Sequence, residues 1–428
     1  MVEIVFSGET KSALADNLGK AHYSYRFAEA KFESALSEEF TIKHAQYPYY
    51  FPNPDILRKE LALTASDIVH VAFRSAENLR VIKGLYNICA FAWEFDVLED
   101  VDWRGQNPFF RQTRILSRFD EIWATSNYTK SVLEDYGIAN VHVIPAPIAD
   151  VWREKRDYSV DDLEGIDFYR FCFNLAVRED IYKSKILSQK VAGIPDRVRE
   201  AADAGKLYLF ILNPYDLRKN MQHLVCAFEA FATTHPKACL LLKLVVPVSK
   251  EDPDFHVFWG LRRGIGSIAS ANSDNIFMIA GYLTDPQMAA LQSVATFYTS
   301  PTVAEGQNLP LIEAMMASCI PVSTRNTAML DYVNDGNSVI IETMRRSGSM
   351  LDLAPTSARR SFDVDMATGQ QIYDALCASA RLGDSQRQEM ATKARQDALA
   401  VYDPAIIRAR VKGRFRNIFA TVGAAHDA

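Results

Sequence analysis

The sequence predicts an α/β protein built from two doubly wound domains, each with a parallel sheet covered by helices on both faces. Two observations lead to this expectation. Short β-rich apolar runs alternate with helical patterns through both halves of the chain, a spacing typical of parallel strands joined by helices. The chain has 428 residues, of which 48% are hydrophobic. It is therefore long for one core and suits two domains of roughly 200 residues each.

Both halves contain enough strand-like runs for a sheet of their own. In the first half the strands are EIVFSG, FTIKHAQ, DIVHVAFRS, LYNICAFAW, EIWATS and VHVIPAP, and the helices cover 20–37, 55–63, 108–118 and 127–136. In the second half the strands are LYLFILN, CLLLKLVVPV, NIFMIAG, ATFYTS, IPVST and SVIIE, and the helices cover 221–234, 285–294 and 310–318.

A polar, charge-dense segment over residues 149–205 separates the two halves. It shows no strand pattern, so we expect it to hold the interdomain connection and an inserted helical element. The predicted units are an N-terminal domain over 1–205, a C-terminal domain over 206–403 and a final helix over 404–428. Two such domains predict a cleft between the carboxyl ends of their strands, where ligands of open α/β folds bind.

Charge and composition argue against several classes of function. The net charge of −6 makes a nucleic-acid partner unexpected. The longest apolar run, CLLLKLVVPV, is broken by Lys243 and is shorter than the roughly 20 residues of a membrane span. The six cysteines are scattered, mostly in apolar contexts, which predicts reduced thiols in the cytoplasm. The eight histidines show no metal-binding spacing, so we expect neither a metal nor another cofactor.

The most informative stretch is SPTVAEGQNLPLIEAMMASCIPVST, residues 300–324. Pro310 suits the start of a helix, where its missing N–H costs nothing. The helix has no wide polar face, so we expect it to be buried all round with Glu313 inside it. A buried carboxylate is costly without a hydrogen-bond partner, and a pair of ligand hydroxyls fits that role. The backbone N–H groups of Asn308 and Leu309 point to where an anionic ligand would bind.

The stretch EGQNLPLIE resembles the E-x7-E motif of the retaining glycosyltransferases of family 4, which share the two-domain GT-B fold. The similarity continues to DYVNDGNSVII, and weaker similarities such as DIVHVAF and EIWATSNYTKSVL lie in the first half. By this resemblance, Glu305 hydrogen-bonds hydroxyls of the donor sugar and Glu313 binds the ribose of the nucleotide. The donor-binding stretch between them consists of Gly306, Gln307, Asn308 and Leu309.

The family also places a basic pair on the donor diphosphate. Lys219 matches the family's lysine, but Pro214 stands where the usual arginine lies five residues earlier, so Arg218 is the candidate to replace it. Gln-Asn replaces Phe-Gly at 307–308, which conflicts with the close backbone approach that glycine allows, and Asp331 replaces a glutamate. Each of these residues also has a purely structural explanation. Glu305 would then be a loop acid, Glu313 a hydrogen-bonded core acid, and Arg218 and Lys219 part of a solvated turn before a helix.

Two residues of the first half are candidates for the acceptor side. Glu94 follows the strand LYNICAFAW and resembles the acidic position of some family-4 N-terminal domains, although a surface acid at a strand end explains it equally. His70 lies at the end of another strand and is a candidate for contacting the acceptor, although we favour a histidine satisfied in the core. The acidic run at 99–102 is expected to be a solvated loop.

The resemblance implies an enzyme that moves a sugar from a nucleotide-sugar donor to an acceptor, with retention of configuration and without a metal. Lys219, Arg218 and the helix N-terminus would stabilise the departing nucleoside diphosphate, whose phosphate would take the acceptor proton in a front-face attack. The implied acceptor is a glycan, a lipid-linked glycan or a protein, as in the synthesis of cell-surface polysaccharides, glycolipids or glycoproteins. A non-catalytic nucleotide-sugar-binding protein and a nucleotide-sugar epimerase stay open as alternatives.

The C-terminal stretch DPAIIRARVKGRFRNIFATV predicts an amphipathic helix. Its apolar residues are Ile407, Val411, Phe415 and Ile418, and its basic residues are Arg408, Arg410, Lys412, Arg414 and Arg416. We favour packing of this helix on the N-terminal domain over contact with an anionic membrane surface. A second basic face, formed by Arg111, Arg114 and Arg118, leaves weak peripheral contact with the inner face of the membrane open.

Overall fold

The structure is a computed structural model that describes residues 2–8, 23–45, 54–98, 111–154, 156–174, 190–247, 255–265, 270–347 and 362–426. Six parallel strands form the first sheet, in the order β2-β1-β3-β4-β5-β6. They are β1 (Val2–Ser7), β2 (Thr41–His44), β3 (Asp67–Ala72), β4 (Tyr86–Phe91), β5 (Glu121–Ala124) and β6 (Val141–Val143). The accompanying helices are α1 (Tyr23–Leu36), α2 (Pro54–Glu60), α3 (Gln112–Leu116), α4 (Asn127–Asp135) and α5 (Asp150–Arg153).

The second sheet has eight strands in the order β14-β13-β12-β9-β10-β11-β7-β8. They are β7 (Phe168–Asn174), β8 (Lys190–Val191), β9 (Leu207–Leu212), β10 (Cys239–Leu244), β11 (Ser270–Ala280), β12 (Phe297–Ser300), β13 (Ile320–Ser323) and β14 (Val339–Ile340). A separate antiparallel pair consists of β15 (Met344–Ser347) and β16 (Asp363–Met366). The helices are α6 (Asp196–Asp203), α7 (Met221–Thr234), α8 (Phe255–Ile265), α9 (Asp285–Val294), α10 (Leu309–Met316), α11 (Gly369–Ala380), α12 (Asp384–Tyr402) and α13 (Pro404–His426).

The strands predicted for both halves are confirmed, and those from β9 to β14 run parallel. The expectation of a strandless segment over 149–205 is wrong. Its strand β7 pairs antiparallel with β11 and with β8. Phe168 and Phe171 of β7 are fully buried, but Arg170 between them pairs with Asp274 at the surface and interrupts the apolar pattern. Of the helical element expected within this segment, the structure contains α6, while 175–189 lie outside the described residues.

The apolar side of α13 packs on the first sheet. Ile407, Val411, Phe415 and Ile418 belong to the same buried cluster as Ile4, Phe32 and Trp123. The Phe415 ring lies 5.3 Å from that of Phe40 and 6.2 Å from that of Trp123. The predicted packing of the C-terminal helix on the first half of the chain is therefore confirmed.

Three basic residues of α13 contact acids of the first half. Arg408 pairs with Glu38 at 2.5 Å and Arg414 with Glu121 at 2.8 Å, and Lys412 pairs with Glu39. These basic side chains thus take part in the packing of the helix. Separately, none of the described helices combines the length and the apolar character that crossing a membrane requires.

The packing of α13 yields a stability prediction. Phe415→Ala should lower the free energy of unfolding by about 3–5 kcal/mol, because it removes a fully buried ring from a close-packed cluster. Arg416→Ala, on the exposed side of the same helix, is the matched control and should change it by less than about 0.5 kcal/mol. Chemical denaturation followed by circular dichroism measures both. Equal effects of the two substitutions would contradict the packing account.

Candidate active site

The charged candidate residues lie where the carboxyl ends of the two sheets face each other. Glu94 follows β4 of the first sheet, and Glu305 follows β12 of the second. Arg218 and Lys219 lie in a short 3-10 turn, Leu217–Lys219, after β9. Glu94, Glu305, Arg218 and Lys219 therefore lie at the edge where ligands of open α/β folds bind.

Two cations and three carboxylates lie close together as two neighbouring sets of ion pairs. Lys219 Nζ donates to Glu305 Oε1 at 2.5 Å. The Nε and Nη2 atoms of Arg218 donate to Asp216 at 3.0 and 2.7 Å, and its Nη1 donates to Glu94 of the first half. The five side chains are between 10% and 23% exposed, so a ligand in the cleft can reach them. We call these five residues the cleft cluster.

Two acids of the cleft cluster, Asp216 and Glu94, have pKa values shifted in opposite directions. Burial raises the pKa of Asp216, but the charge and the hydrogen bonds of Arg218 lower it by more, so it lies below its ordinary value. Burial also raises the pKa of Glu94, and Arg218 does not offset this, because Asp216 and Glu305 add repulsion. Asp216 is therefore the firmly ionised partner of Arg218, and Glu94 is the partner whose charge is less stabilised.

Pro214, which replaces the arginine expected from the resemblance, packs against α8. A Cβ at Gly260 would lie 2.6 Å from Pro214 Cγ, and a Cβ at Gly264 would lie 2.7 Å from the Pro214 carbonyl oxygen. The two glycines, one helical turn apart, thus make room for this proline. Arg218 instead supplies a guanidinium in the cleft.

The backbone at 308 keeps the conformation that a glycine would adopt. Asn308 has φ +60°, in the left-handed region, which asparagine enters more readily than most residues. Its Nδ2 donates to Ser300 Oγ at 3.0 Å, which holds the loop before α10. The asparagine is therefore compatible with the backbone path expected at this position. The position where the loop backbone comes close to the first half of the chain is Gly306. A Cβ added there would lie 3.1 Å from the Cβ of Ala92.

The loop between Glu305 and α10 is fastened to the first half of the chain. Thr125 Oγ1 donates to the carbonyl of Gly306 at 2.6 Å. The amide of Gln307 accepts from Ala146 N at 3.0 Å and donates to Ala146 O at 2.8 Å. Gln307 is 7% exposed, so its side chain serves this contact rather than an open donor pocket. Leu309 is half-buried and packs against the apolar clusters of both halves.

Asp331, which replaces a glutamate of the family pattern, also joins the two halves. Its carboxylate accepts from Asn127 N at 2.8 Å and from Asn127 Nδ2 at 3.2 Å. Asn127 is the first residue of α4, and a carboxylate is favourable beside the N-terminus of a helix. The contact fixes the segment after β13 against the first half.

The prediction that α10 is buried all round is confirmed, but the partner of Glu313 is a residue that sequence reasoning missed. Residues Leu311 to Met316 are buried, and Glu313 is 3% exposed. Lys31 of α1 donates from Nζ to Glu313 Oε1 at 2.9 Å. Burial raises the pKa of Glu313, and Lys31 and Gln292 only partly offset this. The protein itself thus supplies the hydrogen-bond partner, and the ribose contact stays a prediction.

Aromatic and amide groups complete the surroundings of this ion pair. The Lys31 ammonium lies 4.8 Å from the centre of the Trp152 ring, a favourable cation–π arrangement. Trp152 Nε1 donates to Gln292 Oε1 at 2.5 Å. Lys31, Glu313, Gln292 and Trp152 therefore form one buried polar network, which we call the interdomain network. Lys31 gave no signal in the sequence because it is 282 positions from Glu313.

His70 is a core residue. It is fully buried, with Nε2 2.7 Å from Ser7 Oγ and Nδ1 2.8 Å from Asn87 Oδ1. Burial lowers its pKa to about 4, so the ring is neutral near pH 7. Both ring nitrogens are satisfied within the protein. The alternative of a satisfied core histidine describes this residue.

The remaining sequence expectations concern metals and the basic face. Among the described residues, no group of three or more His, Cys, Asp or Glu side chains is arranged to hold a metal ion. The acidic run at 99–102 lies outside the described residues. Arg111, Arg114 and Arg118 line a surface cavity of about 530 Å³ together with Thr113 and Ser117.

Asp216 of the cleft cluster was also missed by sequence reasoning, although its position directly before the turn is typical of a capping acid.

No protein-family model matches the chain, and no curated protein matches it in sequence. Solved structures do match it over nearly its whole length. HepE of Anabaena, crystallised with UDP and glucose, is 12% identical with a TM-score of 0.57, and the match covers 97% of this chain and 100% of that one. Sucrose-phosphate synthase of Thermosynechococcus elongatus is 12% identical with a TM-score of 0.58, and the match covers 98% and 100% of the two chains.

A longer match is TarM of S. aureus, of which this chain spans 58%, while 86% of this chain is covered at 12% identity. Its TM-score of 0.49 is too low to support an argument. The two full-length matches show the GT-B fold with two Rossmann-like domains, as the sequence predicted. At these identities the likeness establishes the fold alone.

The interdomain network yields a second stability prediction. Lys31→Met should lower the free energy of unfolding by about 3–5 kcal/mol, because it leaves the Glu313 carboxylate buried without its counter-ion. The double variant Lys31→Met/Glu313→Gln should recover most of this loss. Lys130→Met, in an exposed pair with Glu134 on α4, is the control and should cost at most about 0.5 kcal/mol. Strictly additive effects of the two buried substitutions would contradict the pairing.

Proposed function

We propose that the protein is a retaining glycosyltransferase of the family-4 type that transfers a sugar from a nucleotide-sugar donor without a metal. The observation that carries this proposal is the meeting of Arg218, Lys219 and Glu305 with the N-terminus of α10 at the facing edges of two sheets. HepE, which has the same fold, was crystallised with UDP and glucose, which supports a nucleoside diphosphate as the ligand.

In this proposal the basic pair and α10 hold the donor diphosphate. Lys219 and Arg218 supply two positive charges, and the backbone N–H groups of Asn308 and Leu309, at the start of α10, supply the positive end of the helix dipole. Negative charge grows on the diphosphate as the bond to the sugar breaks, so these groups stabilise the transition state more than the bound donor. The packing of Pro214 against α8 supports Arg218 as the second cation.

In this proposal Glu305 is the residue that binds the donor sugar. It lies one loop before α10 and hydrogen-bonds Lys219 at 2.5 Å, which sets it beside the cation assigned to the diphosphate. A carboxylate there can accept hydrogen bonds from two neighbouring sugar hydroxyls. We assign the nucleotide ribose to Glu313, which keeps Lys31 as its counter-ion. The backbone of Gly306, Gln307, Asn308 and Leu309 is assigned to the wall of the donor site.

We assign retention of configuration to front-face attack. The bond between the anomeric carbon and the phosphate oxygen breaks with its electron pair going to the phosphate. The acceptor oxygen forms the new bond on the same face, and its proton passes to the departing phosphate. A double displacement would need a free carboxylate at the anomeric carbon, whereas Glu305, the acid assigned to the donor sugar, is paired with Lys219.

The acceptor side belongs, in this proposal, to the first half of the chain, with Glu94 as its contact in the cleft. The acceptor we propose is a glycan, a lipid-linked glycan or a protein, and no nucleic acid takes part. We place the enzyme in the cytoplasm, with weak peripheral contact with the inner face of the membrane through the Arg111, Arg114 and Arg118 face.

Purified protein incubated with UDP-, GDP- and dTDP-sugars tests this function. A transferase should release nucleoside diphosphate slowly in the absence of an acceptor. Lys219→Ala should weaken nucleoside-diphosphate binding and lower this turnover by about 100-fold, the cost of one lost charge-stabilising donor. Glu305→Ala should lower turnover with little loss of binding, because its assigned ligand is the sugar.

Lys130→Ala, an exposed lysine of α4 outside the cleft, is the control and should match the unmodified protein in both calorimetry and kinetics. Binding without any turnover would identify a sugar-nucleotide-binding protein instead. Release of a 2-epimer would identify an epimerase.

A further inference from the structure

The cations of the cleft cluster have no surplus charge to offer a ligand in this structure. A guanidinium carries five N–H donors, and all three nitrogens of Arg218 donate to the carboxylates of Asp216 and Glu94. Lys219 donates to Glu305. With three carboxylates around two cations, the cluster has a formal charge of −1. A nucleoside diphosphate adds further negative charge, so it repels the acids of the cluster and competes with them for the two cations.

Asp216 is held in place by its own turn. Its Oδ1 accepts from the backbone N–H of Arg218 at 3.1 Å as well as from Nε at 3.0 Å, and Oδ2 accepts from Nη2 at 2.7 Å. This bidentate contact orients the guanidinium plane. Moving Asp216 would break the cap of the turn and the orientation of Arg218 together, so this acid is the fixed partner.

Glu94 has none of these restraints. It contacts Arg218 through one nitrogen, Nη1, and it comes from the other half of the chain, three residues beyond β4. Its side chain is 19% exposed to the cleft. Burial and the neighbouring acids already disfavour its charge. Of the two acids that contact Arg218, Glu94 therefore leaves it at the lower cost.

We infer that Glu94 is a displaceable counter-ion, which occupies Nη1 of Arg218 until the donor diphosphate takes that nitrogen and then binds the acceptor hydroxyl. This inference rests on the proposed function and deepens it. Glu94 released from Arg218 stays at the carboxyl end of β4, beside the donor, where the acceptor must approach. The donor therefore has to bind before the acceptor, because only the bound donor frees the carboxylate that receives the acceptor.

Glu94→Gln separates this role from a structural one. The variant keeps the size of the side chain and loses its charge, so it no longer competes for Arg218. The affinity for a nucleoside diphosphate from the set UDP, GDP and dTDP should rise about two- to fivefold, which corresponds to the loss of one partly exposed ion pair. Donor turnover, measured as release of nucleoside diphosphate, should fall by about tenfold or more, since an acceptor or water loses its carboxylate partner.

Asp96→Asn is the matched control, since Asp96 lies two residues further on and contacts Arg345 at 3.5 Å outside the cluster. It should change neither affinity nor turnover. If the unmodified protein binds a nucleoside diphosphate and Glu94→Gln binds it equally or more weakly, the inference about Glu94 is wrong but the proposed function stands. If the unmodified protein binds none of UDP, GDP and dTDP, both the inference and the proposed function are wrong. Glu94→Asp, too short to reach Arg218, should also bind more tightly and replaces Glu94→Gln if that variant does not fold.

Discussion

The buried ion pair between Lys31 and Glu313 is the constraint on which the geometry of the cleft depends. Its two side chains are 5% and 4% exposed, and each belongs to a different half of the chain. Because an unpaired charge in such a position costs several kcal/mol, α10 must stay against α1. The start of α10 and the loop that carries Glu305 are thereby held opposite Glu94. The hydrogen bonds of Gln307 with Ala146 and of Asp331 with Asn127 strengthen the same contact.

This arrangement explains why both cations of the cleft cluster are paired with carboxylates in the absence of a ligand. Both cations lie at the carboxyl edge of the second sheet and are paired with carboxylates. One of these carboxylates, that of Glu94, comes from the opposite domain. Such pairing keeps partly buried cations satisfied in the absence of a ligand. It also gives an anionic ligand a means to rearrange the cleft, since any group that takes Arg218 alters a contact between the two domains.

The fold was largely predictable because the strands of parallel sheets, buried on both faces, appear as short continuous apolar runs. The loop at 305–308 and the burial of α10 were also predictable, since turn residues and an unbroken apolar helix mark them. The partner of Glu313 was not, because an ion pair between Lys31 and a residue of a distant helix leaves no local pattern. The strand β7 shows a further limit, because an exposed arginine within a buried strand depends on neighbours that only the tertiary structure supplies.

The account's central claim is that a donor diphosphate binds between the two sheets, on the basic pair and the start of α10. A crystal structure of the protein with the nucleoside diphosphate it binds most tightly tests this directly. We expect phosphate oxygens within hydrogen-bond distance of Lys219 Nζ, Arg218 Nη1 and the backbone N–H groups at the start of α10, with Glu94 turned away from Arg218. A diphosphate bound elsewhere, with the cleft cluster unchanged, would contradict the account.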